Sequence, residues 1–228
     1  NHKKTKIEQY RRKMDAASFI IKVRKELSEE NKKILEHPFI KDAEAGKLCE
    51  DKIKCFITQQ DYIISHDLRS LALMLTRSKH QDETDFFHPL IQGDIEALKK
   101  LHIFAEELGL KIEDFTTQQL IPEAVSYTHY LAWLALYANA GEQAAALIVN
   151  LPVWGEACRR FGSALKEKYG YKKLDFFELF LQPFDAVEAA AFKVINRYIE
   201  RFSITMERCV KMIQRYELMF WDSIYRLV

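Results

Sequence analysis

Glu217 stands three and four residues ahead of Phe220 and Trp221, so on a helix its carboxylate shares a face with two large rings. The surrounding segment, Ile204 to Val228, repeats apolar residues at helical steps through Met206, Val210, Ile213, Leu218, Trp221 and Ile224, the pattern of a helix packed inside a bundle. A carboxylate on the buried side must find partners or keep its proton. A carboxyl with a raised pKa can act as a general acid or base near neutral pH. From periodicity alone a second reading stays open: a boundary residue whose stem packs on the rings while its head reaches water.

Other chemistries fit less well. Cys49, Cys55, Cys158 and Cys209 form no CxxC pair. Cys209 lies eight residues before Glu217, and Cys158 eight after Asn150, about 12 Å along a helix axis in each case; Cys55 lies about 7.5 Å from Gln60. Each is expected to be an inert, reduced thiol. A di-iron bundle needs Glu-x-x-His spacing on facing helices. None of the seven histidines follows His129, and Gln59 occupies the place, seven before His66, where a Glu would be wanted. Neither a metal, a haem nor another cofactor is therefore expected. The chain has no Gly-rich phosphate loop and no GxSxG elbow.

The elements that must hold these residues are helices. Seven Gly and five Pro in 228 residues, with little β-branched alternation, mean few turns and long elements; we expect one all-α domain spanning residues 1–228. A net charge of +1, with both signs mixed along the helices, argues against nucleic-acid or acidic-membrane partners. The basic cluster from His2 to Lys13 is read as a solvated helix face. The start lacks an apolar signal core, and the longest apolar run, Ala144 to Val149, is too short for a bilayer. With free thiols, this places the expected location in the cytoplasm.

In order, the sequence predicts a helix from Ile7 to Leu27, a short one capped by Ser28 and ending before Pro38, another over Lys41 to Lys47 closing at Gly46, and a long one from Cys49 to Ser78. Lys79 to Pro89 reads as a polar turn, with Asp94 capping a helix that stops at Gly109. A loop with Thr116, Thr117 and Pro122 leads to a helix over Glu123 to Ala138. Gly141 opens a small-residue helix that Pro152 should kink, baring a carbonyl. After Gly170 an aromatic stretch breaks at Pro183; a helix to about Phe202 and the terminal helix follow. That makes about seven principal helices.

Several of these segments carry a family's motifs. Tyr216-Glu217-Leu218-Met219-Phe220-Trp221 resembles the Y-E-x-x-F-W signature of the TenA family, thiaminase II-like proteins of the haem-oxygenase-like fold. His37-Pro38-Phe39 is similar to that family's early H-P-F, Ala45 to Leu48 to its G-x-L turn, and Lys54 to His66 to its K-x-x-x-x-Q-D-x-Y-Y-x-x-H helix. Leu101-His102 and Ser126-Tyr127-Thr128 resemble its L-H and S-Y-T. The resemblance implies a haem-oxygenase-like helical bundle, a homodimer or homotetramer, and hydrolysis of aminopyrimidines or thiamin in thiamin salvage.

Carried over position by position, the family's catalytic glutamate falls on Glu217 and a pocket tyrosine on Tyr127. Its aspartate falls on Gln60, with Asp61 one residue late, about 100° round the helix. A second tyrosine falls on Ile63, the nucleophilic cysteine on Asn150, an aromatic on Trp154 and a further tyrosine near Gln182. Phe220 completes the expected ligand-binding set. Glutamine cannot act as a general base and asparagine cannot form a thioether, so the thiol route looks lost. The expected partner is a small heteroaromatic of aminopyrimidine type. The first function is a divergent aminopyrimidine or thiamin hydrolase. The alternatives are a non-hydrolytic binding or regulatory protein and a cofactor-free oxidase resembling PqqC.

Overall fold

The computed structural model of the chain describes residues 14–111, 113, 115 and 119–226, all helix or connection. The first, α1 (Ala16–Glu26), begins where the Asp15 side chain accepts the Ser18 amide at 2.8 Å, a standard N-cap. The part of the expected first helix before residue 14, the basic cluster, Thr116 and Thr117 lie outside the described residues. In α2 (Ser28–Leu35) Leu27, not Ser28, holds the cap position, with no side-chain cap bond. α3 starts earlier than its periodicity suggested, at Pro38, and runs to Glu44. His37 explains the early start: its Nδ1 accepts the Phe39 amide at 3.1 Å, its Nε2 meets Asp222 at 3.2 Å, and Pro38 needs no N–H partner at a helix start.

The long helices follow: α4 (Glu50–Thr76), α5 (Gln81–Glu107), α6 (Pro122–Tyr137) and α7 (Ala140–Tyr169). A four-residue α8 (Asp175–Glu178) and a 3-10 turn (Leu179–Leu181) lead into α9 (Asp185–Arg226). Gly46, Gly109 and Gly170, at φ 69°, 72° and 73°, end α3, α5 and α7 in the left-handed conformation that glycine adopts cheaply.

Two expectations are corrected here. Lys79 to Pro89 is not a turn: only residues 77–80 separate α4 from α5, and Pro89 lies inside α5. Phe86 and Phe87, both fully buried and edge-to-face at 5.1 Å, tie the segment to the core strongly enough to override its polar composition. Asp94 is accordingly an interior residue of α5 and not a cap. The last two expected helices are a single one of 42 residues, about 63 Å long, because no Gly or Pro interrupts α9.

Pro152 sits inside the unbroken α7, and the carbonyl it deprives of a partner is that of Ile148, four residues earlier. Arg24 of α1 fills the gap, donating to Ile148 O at 3.2 Å while holding Glu188 of α9 through both nitrogens at 3.1 and 2.8 Å. One guanidinium thus ties three helices at the point where the ladder is broken.

The apolar interior forms two clusters, one around Phe39, Phe56, Phe161, Phe177 and Trp221, the other around Phe19, Phe86, Phe87, Ile195 and Met206. Tyr127 packs against both. α7 and α9 run side by side through the two, and small residues set how closely they are approached. A Cβ on Gly162 would come within 2.5 Å of Phe177 Cβ, whereas one on Gly93 would meet nothing within 4 Å. Gly162→Ala is therefore expected to destabilise the fold by about 1–3 kcal/mol. Gly93→Ala should stabilise it by up to ~1 kcal/mol through helix propensity. Urea unfolding of the two variants checks the contrast; equal midpoints would contradict the packing described.

Candidate functional site

α4, α5, α6, α7 and α9, together with the turn after α8, enclose a cavity of about 250 Å³. At ~30 Å³ of liquid volume per water, that is a ligand-sized space, not a single-water void. Its walls are mostly apolar and aromatic, with Trp154, Phe180 and Phe220 among them. Phe220 and Trp154 meet edge-to-face at 5.9 Å, as do Phe180 and Trp154 at 6.1 Å.

The polar centre of the cavity is built on α7 and α9. Asn150 uses its whole amide: Nδ2 donates to Glu217 Oε2 at 2.6 Å and to Gln214 Oε1 at 2.7 Å, and Oδ1 accepts the Tyr127 hydroxyl at 2.9 Å. Gln214 in turn donates to Asn31 Oδ1 at 2.6 Å, which anchors the network to α2. Trp221 Nε1 donates to Glu217 Oε1 at 3.3 Å. Glu217 is 2% exposed, so its head does not reach bulk water.

Burial pushes the Glu217 carboxyl up to about 8, against the opposing pull of the Trp221 and Asn150 donors. At neutral pH it therefore holds its proton. Both protein neighbours present N–H groups to it, and neither offers an acceptor there, while the carboxyl lines the cavity. Burial also raises the Tyr127 hydroxyl well above its usual range, aided by the charges of Asp67, Glu217 and Asp94. The centre is a proton donor and acceptor set in an apolar chamber.

Of the residues singled out from sequence, Glu217, Tyr127, Gln60, Ile63, Asn150, Trp154 and Phe220 all line this one cavity. Gln182 does not: it is exposed, in extended backbone after the 3-10 turn. The break at Pro183 turns it to solvent, and Phe180 and Phe184 face the cavity instead. Asp61 is engaged elsewhere, with His102 of α5 at 2.6 Å. Gln59, next to Gln60, clamps the segment before α6 by donating to Gln119 O at 3.1 Å and accepting the Ile121 amide at 2.9 Å. Two lining carboxylates, Asp67 and Asp94, were missed. Asp67 follows Gln60 by seven residues, two helical turns on one face, a signal the sequence did carry; the cap reading hid Asp94.

No thiol lines the cavity. Burial raises Cys55 to about 11 and holds Cys158 and Cys209 above the usual thiol range, so each stays protonated and a poor nucleophile. Among the described residues no group of three or more His, Cys, Asp or Glu could hold a metal ion, and no helix is long and apolar enough to cross a membrane.

Long helices enclosing an acidic, aromatic-walled chamber define an all-α bundle of the haem-oxygenase-like kind. Residues 24–227 match the TENA/THI-4/PQQC family, and the chain belongs to it. It is 30% identical over 113 residues to the aminopyrimidine aminohydrolase of Bacillus subtilis (strain 168); that match covers 49% of this chain and about half, 48%, of the relative. Among solved structures, a TenA homologue from Pyrococcus furiosus superposes with a TM-score of 0.77 at 23% identity, covering 91% of this chain and 100% of that one. A TenA homolog from Pseudomonas syringae pv. tomato gives 0.78 at 15% identity, covering 94% and 96%. At these identities the structures speak for the fold.

Proposed function

We propose that the protein binds a small aminopyrimidine in this cavity and hydrolyses it with Glu217 as the proton-transfer group. The observation that carries the reading is the buried Glu217 carboxyl held by Asn150 and Trp221 at the wall of an aromatic chamber. An amidine edge, with one ring nitrogen to protonate and one amino group to donate, is the complement of a carboxyl beside amide groups. The name of the Bacillus relative supports the same substrate class.

With no thiol in the cavity, water is the nucleophile. Glu217 protonates a ring nitrogen, the C–N bond at the 5-methylene carbon breaks as the water oxygen bonds to that carbon, the water's proton leaves with the departing amine, and the ring nitrogen returns its proton to the carboxylate. Exclusion of bulk solvent strengthens each of these interactions. A second reading rests on Asn150 itself: an amide fills the position where the family's thiol falls, and Gln60 that of its aspartate. A pocket so furnished can recognise a heteroaromatic without turning it over.

A thermal-shift screen with thiamin, 4-amino-5-hydroxymethyl-2-methylpyrimidine and 4-amino-5-aminomethyl-2-methylpyrimidine, followed by product analysis, separates the two. Ligand at a hundred times its dissociation constant stabilises the fold by about 2.7 kcal/mol. A shift with released amine or cleaved thiamin supports hydrolysis. A shift without product makes this a binding protein, and no shift with any pyrimidine overturns both readings.

A further inference from the structure

The carboxylates of Asp67 and Asp94 have no part in the proton transfer assigned to Glu217, yet both line the same cavity. α4 places Asp67 two turns beyond Gln60, about 10 Å along the axis. α5 brings Asp94 to the same wall beside Gly93, where the missing side chain leaves open space. Asp67 Oδ1 is shut off from solvent and has no hydrogen-bond partner, and among the described residues it is the one buried side-chain oxygen or nitrogen in that condition.

Several acids elsewhere are held by cations of the chain. Arg24 holds Glu188, Arg160 holds Glu44, and Lys22 and Lys211 hold Glu207. No cation serves this pair: among the described residues no Lys, Arg or His lines the cavity, and Asp67 is met by the neutral Thr128 side chain. Both residues are half-buried, and holding two carboxylates against an apolar cavity without a cation is costly. A buried polar atom left unsatisfied calls for an explanation, and an absent ligand is one.

We infer that Asp67 and Asp94 form a second subsite of the cavity that receives the ammonium group of an organic cation, so that the ligand is a heteroaromatic amine and not a neutral ring. This deepens the aminopyrimidine reading and rests on it for the ring, though not for the charge. The two groups behave as such a site requires. Burial lifts Asp67 to about 7, and burial with the Asp67 charge raises Asp94 well above the carboxylate range. With no cation of the chain beside them they retain protons that an arriving ammonium displaces, and the hydrogen bonds it then makes are charge-assisted. The apolar walls give those bonds a low-dielectric setting.

Two matched pairs of probes test the inference by calorimetry on the full chain at pH 7. One pair is 4-amino-5-aminomethyl-2-methylpyrimidine and its 5-hydroxymethyl counterpart; the other is benzylammonium and benzyl alcohol. The ammonium member of each pair is expected to bind about tenfold tighter or better, the worth of one charge-assisted bond. Asp67→Asn and Asp94→Asn, which remove a carboxylate and should fold, are each expected to erase that preference, bringing the two members of each pair to equal affinity. Glu217→Gln is expected to weaken both pyrimidines and to keep the preference.

Equal affinities within both pairs, or a preference that survives both Asp variants, would overturn the subsite. Tighter binding of Mg²⁺ or Ca²⁺ than of either amine would also overturn it, in favour of a metal site. If both pyrimidines bind equally, the aminopyrimidine reading stands and the subsite falls. If neither pyrimidine binds but benzylammonium still outbinds benzyl alcohol through Asp67, the subsite stands and the aminopyrimidine reading falls.

Discussion

Glu217→Gln will lower turnover of an aminopyrimidine by about 10²- to 10⁴-fold, the usual worth of a positioned general acid or base, and will flatten the pH dependence of stability. The second effect follows from burial. The Glu217 carboxyl sits at about 8 in the folded chain against 4.5 for the free side chain. Below about pH 4.5 both states carry the proton. From there to about 8 the folded state keeps a proton that the unfolded state has released, so stability falls as pH rises through that window. The loss amounts to a few kcal/mol in order of magnitude.

Glutamine does not titrate, so the variant should equal or trail wild type at pH 5 and overtake it above pH 8. One offset is built in: the new NH₂ must face either Asn150 Nδ2 or Trp221 Nε1, both donors. A residual slope remains from Asp67, itself raised to about 7. Urea unfolding at pH 5.5 and 8.5 with both proteins measures this directly. Parallel curves would mean that Glu217 is ionised in the folded protein, and unchanged turnover and affinity would remove it from the site.

The second large effect is expected at Asn150. Asn150→Leu keeps the branched skeleton and removes three hydrogen bonds at once, stranding the Tyr127 hydroxyl, Gln214 Oε1 and Glu217 Oε2 in the interior. Each stranded group costs about 1–3 kcal/mol, and in a connected network the losses compound. A destabilisation of about 3 kcal/mol or more, with ligand binding lost, is expected. The double variant with Glu217→Gln should cost less than the sum of the two, because they share one bond. Additive costs would show that Asn150 and Glu217 do not interact in solution.

What could be read from the sequence follows from the kind of information each feature carries. Helical periodicity and the helix-ending glycines placed α4, α6 and α7 nearly where they lie, because both signals are local. The C-terminal pattern placed Glu217 beside two rings but favoured a boundary residue reaching water, and it was the resemblance of residues 216–221 to the family signature that singled it out. The carbonyl bared by Pro152 was foreseeable from backbone chemistry, but its rescue by Arg24, more than a hundred residues away, was not.

Tertiary burial hid the rest. Phe86 and Phe87 pull a polar, proline-containing stretch into α5, and that shift moves Asp94 from an apparent cap to a cavity wall. Gln182 failed for the opposite reason. A position carried over from a family pattern loses its meaning across the 3-10 turn and Pro183, where the chain leaves the helix. The Asn150 network needed contacts among α2, α6, α7 and α9, which no single helical pattern contains.

The most direct test of the central claim is a crystal structure of the protein with 4-amino-5-hydroxymethyl-2-methylpyrimidine. The account predicts the ring inside the cavity, against the wall formed by Trp154 and Phe220, with its amidine edge within hydrogen-bond distance of Glu217. A ring bound elsewhere, or a cavity that stays empty at saturating ligand, would contradict it.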